Sequence, residues 1–211
     1  MLAELSLFPL ALAAGGGRVD GLECQQLVAA GLTLLRRSAP LVRALSGKRS
    51  GILLSDSPAF IVALAASDGR GAVLIDPQAS AEDIARQLAD ANVGAVFTTK
   101  HFAHAVPSAL PLVLLDDAPR SAELRIDGKL RDIDLGSHVG LELEGSRDAE
   151  GLDEECVVVY EPGSSRLVAI SHRQLISHAR GATGDTSATM PSNGPLLLLT
   201  SLAATLVSGR T

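Results

Sequence analysis

Apolar residues recur along the first half of the chain in short runs that alternate with segments of helical period. Leucines at mostly helical spacings across 21–45, with Pro40 inside the segment, predict one helix or two helices that join near Ser38. Three further short runs have the length and apolar content of buried strands, and they lie at 51–55, 72–76 and 94–98.

Helix signals fill the gaps between these strands. Ser57 and Pro58 are typical of a helix N-cap and first position, and they predict a helix that ends at about residue 67. Ser80, with Asp83 three residues later, predicts a second capped helix that ends near Asn92. Strands separated by short helices favour right-handed βαβ crossovers. The predicted fold class is therefore α/β, a doubly wound, mostly parallel sheet with flanking helices.

The pattern of apolar runs changes after residue 110. The run 112–115 predicts one more buried strand, whereas 124–126, 133–135 and 139–143 are short apolar segments separated by charges. We expect a β-rich excursion at a sheet edge, followed by a charged, glycine-containing linker at 146–153.

The stretch 157–173 predicts a strand, a polar loop, a second strand and a helix start. Gly163 lets backbone N–H groups approach an anion, Ser164 and Ser165 can donate hydrogen bonds, and Arg166 can neutralise charge. These residue types fit a phosphate-holding loop. A hairpin turn with solvent-facing polar residues is the alternative interpretation from the local sequence.

Ser171 and Gln174 form a predicted capping box for the helix that follows. Beyond it we expect a loop at 181–193, a strand at 196–199 and a helix at 201–207. The predicted organisation is a single incomplete subdomain over 1–211, which divides into a leader at 1–19, a βαβ core at 20–109, the excursion and linker at 110–153, and the loop region at 154–211.

Composition excludes some partners. Hydrophobic residues make up 46% of the chain and charged residues 20%, which is typical of a folded protein. With one Tyr, no Trp, a net charge of −6 and no basic cluster, we expect no nucleic-acid partner.

Location is inferred from the cysteines and from the apolar runs. Cys24 and Cys156 have neither metal-type nor disulfide-framework spacing and suit a reducing cytoplasm. The apolar segment 5–14 has no Lys or Arg before it and contains Pro9, so we expect no secretory signal. The run 195–207 is too short to span a bilayer, so no membrane span is predicted.

Three histidines have side chains that could serve as ligands. His101 and His104 lie three residues apart, but no further ligand is spaced to complete a metal site, so we interpret them as surface or loop residues. His172 follows the polar loop and is a candidate ligand residue. Its alternatives are that it faces solvent or packs locally at the helix start.

Several segments together resemble the N-terminal portion of the adenylate-forming (AMP-binding) superfamily, which includes acyl- and aryl-CoA ligases. Residues 51–60 resemble the family's strand, Asn-Ser-Pro turn and helix, residues 71–77 its Gly-Ala-Val…Pro strand, and 80–98 the next helix and strand. Residues 160–166 lie where the family has its phosphate-binding loop, and 171–173 resemble the Thr/Ser-His-Arg that follows it.

The resemblance implies ATP with Mg²⁺ as cofactor, held at Gly163, Ser164, Ser165, Arg166 and His172. A complete family member acts on a carboxylic acid, with CoA or a carrier protein as acceptor. The family's adenine and ribose site, its acidic Mg²⁺ ligand and its C-terminal catalytic lysine have no counterpart here, so no catalytic residue or metal ligand is assigned.

The loop also departs from the family pattern. Arg166 takes the place of a lysine, the connection from Gly163 to Arg166 is three residues shorter, and Glu161 and Pro162 replace hydroxyl residues. A carboxylate repels an anionic ligand, and proline lacks an N–H donor. We expect an N-terminal fragment or truncated homologue of a carboxylate-activating ligase that is inactive alone. A non-catalytic, degenerate homologue that acts as a binding or interaction module is the alternative. An open sheet edge would allow homo-oligomers.

Overall fold

A computed structural model describes residues 18–55, 57–67, 71–116, 119–136, 152–160 and 166–182, the last five as backbone. Within these residues the chain forms strands β1 Arg18–Val19, β2 Leu22–Glu23, β3 Arg49–Leu53, β4 Ala72–Leu74, β5 Val93–Thr98, β6 Leu112–Leu115, β7 Ser121–Ile126, β8 Lys129–Asp134, β9 Glu155–Tyr160 and β10 Leu167–Ser171. The helices are α1 Cys24–Arg37, α2 Ala39–Ala44, α3 Pro58–Ala66, α4 Ala81–Asp90 and α5 His172–Ala182, and a 3₁₀ turn covers Ala103–Ala105.

Eight of these strands form one sheet in the order β10-β9-β4-β3-β5-β6-β7-β8. The five neighbouring strands from β9 to β6 are parallel, whereas β10 at one edge and the β7–β8 hairpin at the other are antiparallel. The chain leaves β3 for β4 on one side and returns to β5 on the other. The strand order therefore reverses at β3, as in doubly wound sheets.

Apolar layers cover both faces of the sheet. On one face α1, α2, α3 and the apolar residues of α5 enclose a core that includes Phe60 and Phe97. On the other face α4 places Ile84 and Leu88 against the strands. Strands covered on both sides are expected to be continuously apolar, and every residue of β4, β5 and β6 is buried.

Helix α3 is buried along its whole length, since all nine of its residues lie in the core. It packs against α1, where a Cβ on Gly31 would lie 2.7 Å from the Ala65 Cβ and would also overlap the Val62 carbonyl oxygen. The missing side chain at Gly31 is what lets the two helix backbones approach.

The structure agrees with several features of the sequence, among them two helix caps, a sheet edge and a buried cysteine. From Cys24 onward the predicted 21–45 segment forms two helices separated at Ser38, whose hydroxyl accepts from the Leu41 N–H at 3.2 Å. Ser80 caps α4 by accepting from the Asp83 N–H at 3.1 Å. The excursion after residue 110 is a β-rich sheet edge. Cys156 is fully buried in β9.

Three details differ from the predictions. The Ser57 side chain makes no cap hydrogen bond, and Pro58 at the first helical position supplies the start of α3. Helix α5 continues through Ala182, into the predicted 181–193 loop. A short β1–β2 hairpin over 18–23, which the periodicity did not indicate, turns at Asp20 and Gly21, both with positive φ. The predictions for 139–143, 196–199 and 201–207 lie outside the described residues.

Candidate phosphate-loop site

The connection between β9 and β10 begins at the carboxyl edge of the parallel sheet. Tyr160 pairs with Leu167 in the antiparallel register, so six residues, 161–166, join the two strands. Strand β9 runs parallel to β4, with Leu74 opposite Val159, so the connection starts beside the residues that follow β4. Ligands of doubly wound folds bind at this edge. Gly163, Ser164 and Ser165 lie outside the described residues, and their roles stay predictions.

Arg166 is the described end of this connection, and its side chain is exposed. It immediately precedes β10, which pairs only with β9 among the described strands. An exposed guanidinium at the carboxyl edge of the sheet is suitably placed to meet an anion, since it needs no rearrangement of the core to reach one.

Tyr160 anchors the other end of the connection. Its phenol donates a hydrogen bond to the Gln87 carbonyl oxygen of α4 at 2.9 Å, and its side chain is half-buried. Burial, and next the charge of Asp90, raise the pKa of Tyr160 above its ordinary value, while Arg86 and Arg49 oppose the shift. The sequence analysis did not single out this anchoring role. Its signal is an aromatic phenol at the last position of a strand.

His172 lies at the opposite end of β10 from Arg166. The strand runs back to the amino edge of the sheet, roughly 20 Å at about 3.4 Å per residue, and the His172 N–H donates to the Glu154 carbonyl oxygen at 3.2 Å. Its side chain is 1% exposed. The structure therefore does not bring His172 together with Arg166, and the binding role of His172 stays a prediction.

The start of α5 has the predicted capping box. The Ser171 N–H donates to Gln174 Oε1 at 2.9 Å, and the Gln174 N–H donates to Ser171 Oγ at 3.3 Å. Beside it, Arg173 forms two hydrogen bonds to Asp153, at 2.7 and 3.1 Å. The hydrogen bond from Arg173 holds the pKa of Asp153 below its ordinary value and raises the pKa of Arg173.

The reversal point of the sheet carries two threonines that sequence reasoning missed. Thr98 is fully buried at the end of β5, and its hydroxyl donates to the Leu53 carbonyl oxygen of β3 at 3.0 Å. The Thr99 hydroxyl is buried with no hydrogen-bond partner in the part of the chain described. Across β3, the Asp76 carboxylate accepts from the Gln78 N–H at 2.8 Å and turns the chain toward α4. The signal that could have found these residues is their position directly after predicted strands.

The fold is closely similar to several solved enzymes at low sequence identity. The N-terminal domain of FACL13 from Mycobacterium tuberculosis superimposes with a TM-score of 0.67 at 12% identity, over 97% of this chain and 56% of that one. The luciferase-like enzyme of the mealworm Zophobas morio gives 0.63 at 12% identity, over 99% and 53%. The amide bond synthetase McbA of Marinactinospora thermotolerans gives 0.60 at 19% identity, over 96% and 42%.

The chain has the fold of the N-terminal portion of adenylate-forming enzymes. It spans about half the length of these structures. No protein-family model and no curated protein matches the sequence. The predicted α/β class and the predicted resemblance to this fold are both confirmed.

The structure also shows where the candidate metal-binding histidines and the two cysteines lie. His101 and His104 are exposed in the turn after β5, where His104 Nδ1 lies 2.8 Å from the His101 carbonyl oxygen. Among the described residues no three His, Cys, Asp or Glu side chains are grouped to hold a metal ion. Cys24 and Cys156 are both buried and are not joined in a disulfide, and burial raises the pKa of Cys24. None of the helices in the described part combines the length and hydropathy that a membrane span requires.

One cavity of about 40 Å³ lies at the amino edge of the sheet, far from the 161–166 connection. Pockets that hold cofactors have volumes of roughly 300–1,000 Å³, so this cavity is too small for a nucleotide. It is bordered by a segment, 24–55, that contains five Arg or Lys and no Asp or Glu. Sequence reasoning missed this charge imbalance because the five cations, which all lie within residues 36–49, form no continuous run.

Proposed function

We propose that this chain supplies the N-terminal portion of an ATP-dependent, carboxylate-activating enzyme of the acyl- or aryl-CoA ligase type. In this proposal the 161–166 connection holds the phosphates of MgATP, with Gly163, Ser164, Ser165 and Arg166 as the binding residues. The observation that carries the proposal is the position of this connection, at the carboxyl edge of a doubly wound sheet with the fold of adenylate-forming enzymes.

Binding is proposed to be weak and catalysis absent in this chain alone. A connection of six residues offers few backbone donors, Pro162 offers none, and Glu161 adds a negative charge near the ligand. Adenylyl transfer requires groups that stabilise charge in the transition state, and the family places several of these in segments with no match here. When bound, MgATP would supply the α-phosphate to which a carboxylate becomes attached as pyrophosphate leaves, and CoA or a carrier protein would later accept the acyl group as AMP leaves.

His172 is the remaining predicted binding residue. Its side chain is buried at the other end of β10 from Arg166, so a contact between His172 and the same phosphates would require a rearrangement at the start of α5. The buried cysteines fit a protein kept reduced in the cytoplasm, which is the location we infer.

The test is a calorimetric titration of the full chain with MgATP. We expect weak saturable binding, and Arg166→Ala should lower the affinity roughly tenfold, because one charge-assisted hydrogen bond is worth about 1.5–3 kcal/mol. Arg131→Ala is the matched control, since Arg131 is exposed on β8 at the far edge of the sheet. His172→Gln is measured beside them, with circular dichroism to check its fold.

Each result of the titration distinguishes the phosphate-loop assignment from its alternative. Absence of saturable binding, or equal affinities for the Arg166 and Arg131 variants, would overturn the phosphate-loop assignment and leave the non-catalytic interaction module. Pyrophosphate exchange with a panel of carboxylic acids is run on the same preparations, and we expect none above background. Measurable exchange would contradict inactivity while it supports the binding site.

A further inference from the structure

The surface formed by α1, α2 and the turn into β3 combines exposed cations with an apolar cavity. We define the α1–α2 surface by Arg36, Val42, Arg43 and Lys48, all exposed. Val42 and Lys48 line the cavity, and Arg36 and Arg43 each follow a cavity-lining residue in sequence. Lys48 therefore lies at the cavity, and Arg36 and Arg43 lie on the two helices that contribute Leu35 and Val42 to its lining.

The charges of this surface have no acidic partners in the part of the chain described. Arg37 donates to the Asp134 carbonyl oxygen at 3.0 Å and Arg49 forms an ion pair with Glu155 at 2.9 Å, so these two are excluded. For Arg36, Arg43 and Lys48 no ion pair is formed with the described residues. A surface that served only solubility would intersperse both signs.

Helix ends explain only part of this arrangement. Arg36 lies in the last turn of α1 and Arg43 in the last turn of α2, where cations complement the helix dipole. Lys48 belongs to no helix. Its stem lies against the backbone of Gly94, where a Cβ would be 3.0 Å from Lys48 Cβ and Cδ, so the packing positions its charge at the cavity rim.

The cavity itself can accept an apolar group. Its lining includes Leu35, Leu45 and Ala66. The two hydroxyls in its wall are already hydrogen-bonded, since Ser50 donates to Ser67 at 2.7 Å and Ser67 donates to the Ala63 carbonyl oxygen at 2.9 Å. A volume of about 40 Å³ has room for the end of one small apolar side chain.

We propose that the α1–α2 surface binds an acidic peptide segment of a partner protein. One apolar side chain of the segment enters the cavity, and flanking carboxylates meet Arg36, Arg43 and Lys48. Charge complementarity selects this occupant. Nucleic acid would require aromatic stacking platforms or a denser positive face, and a membrane surface requires a cluster of about 4–8 cations.

The experiment measures fluorescence anisotropy of a short labelled peptide in which one leucine lies between pairs of glutamates. The full chain should bind it saturably, and binding should weaken as salt rises. The Arg43→Glu/Lys48→Glu variant should lower the affinity roughly tenfold, since two attractive ion pairs are lost and the charge reversal adds repulsion. Replacing the peptide leucine with serine should also weaken binding.

A control variant and two further measurements distinguish peptide binding from binding to lipid or to a second copy of the chain. Arg125→Glu/Arg131→Glu, a double reversal on the β7–β8 hairpin, should leave the affinity unchanged, and thermal melts verify that all variants fold. No binding, or equal loss in both double variants, would overturn the proposal. Tighter binding to anionic phosphatidylserine vesicles than to the peptide would assign the surface to lipid instead. Loss of self-association in the Arg43/Lys48 variant would assign it to a second copy of the chain.

Discussion

Tyr160 fixes the strand that leads into the 161–166 connection to a helix on one face of the sheet. Its side chain packs against the core cluster that includes Ile84 and Leu88 of α4. Its hydroxyl reaches the Gln87 carbonyl oxygen, which also accepts the Ala91 N–H at 3.1 Å. The carbonyl therefore keeps a partner if the phenol is removed. What the phenol adds is a fixed position for the last residue before the connection.

We predict that Tyr160 titrates above pH 10.0, the ordinary value for a phenol. Burial disfavours the phenolate, and Asp90 adds repulsion. The folded pKa is raised, so the stability contribution is present at neutral pH and is lost as pH rises through the folded pKa. Absorbance of tyrosinate measures this directly, because the chain has one Tyr and no Trp.

Two variants check the cause. Asp90→Asn should lower the titration midpoint of the phenol by removing the negative charge. Tyr160→Phe should lower the free energy of unfolding at neutral pH by about 1 kcal/mol, the usual net value of one hydrogen bond. A midpoint at or below the unfolded value, measured in urea, would contradict the assigned environment of Tyr160.

The chemistry of the candidate binding residues could be predicted from the sequence, but the distances between these residues could not. The chemistry of Gly163 to Arg166 follows from glycine, hydroxyl and guanidinium groups in order. The placement of His172 depends on the antiparallel return of β10, which includes a register shift between Ile170 and Ser171. Proximity in sequence suggested that His172 and Arg166 share a ligand, whereas a five-residue strand separates them.

The pairing of α1 with α3 depends on one glycine. Helix α3 is apolar on all sides, so its sequence has no face that predicts which neighbour covers it. Gly31 supplies that information, because backbone atoms of α3 occupy the space where its side chain would be.

Gly31→Ala should destabilise the protein by about 1–3 kcal/mol, as expected for overpacking a filled core. The gain of roughly 0.5–1 kcal/mol from replacing a helical glycine with alanine offsets only part of this cost. Urea unfolding measures the difference. Gly51→Ala is the matched control, since its Cβ would meet the flexible end of Leu88 at 2.9 Å instead of backbone. Equal costs for the two variants would refute the close backbone approach as the cause.

Elements with strong local signals were predicted well. The alternation of apolar runs with capped helices predicted β3, α3, β4, α4 and β5. These elements could be predicted because the hydrophobic period and the capping residues of each one lie within its own segment of the sequence. The β1–β2 hairpin was missed because two-residue strands have no period. Its only local signal is the Asp20–Gly21 pair, which favours a tight turn with positive φ.

At the scale of the whole molecule, the order of the strands and helices along the chain was more informative than any single motif. Short βαβ units fix strand direction and handedness, so the parallel sheet followed from the sequence. The antiparallel edges did not follow in the same way, since β6–β7 and β9–β10 are joined by polar connections of five and six residues. The β7–β8 turn at Asp127 and Gly128, both with positive φ, is a short hairpin signal that sequence reasoning did not use. The α1–α2 surface became visible only when folding brought Lys48 onto the cavity rim.

Among the described strands, the two at the edges of the sheet, β8 and β10, differ in their exposed side chains, and this difference indicates where self-association would occur. Strand β8 carries Lys129, Arg131, Asp132 and Asp134, and such charges protect an edge from pairing. Strand β10 instead exposes apolar residues, among them Val168 at 39%. We therefore predict that any homo-oligomer forms through β10.

Light scattering over a range of protein concentrations should show a concentration-dependent increase in mass. Val168→Lys should abolish this increase, because a charge on the β10 edge disfavours strand addition. Leu130→Lys is the control on β8, where Leu130 is 64% exposed, and it should leave the increase unchanged. A monomer at every concentration would contradict self-association. A loss of association in the Leu130 variant, but not in the Val168 variant, would place the contact at the opposite edge.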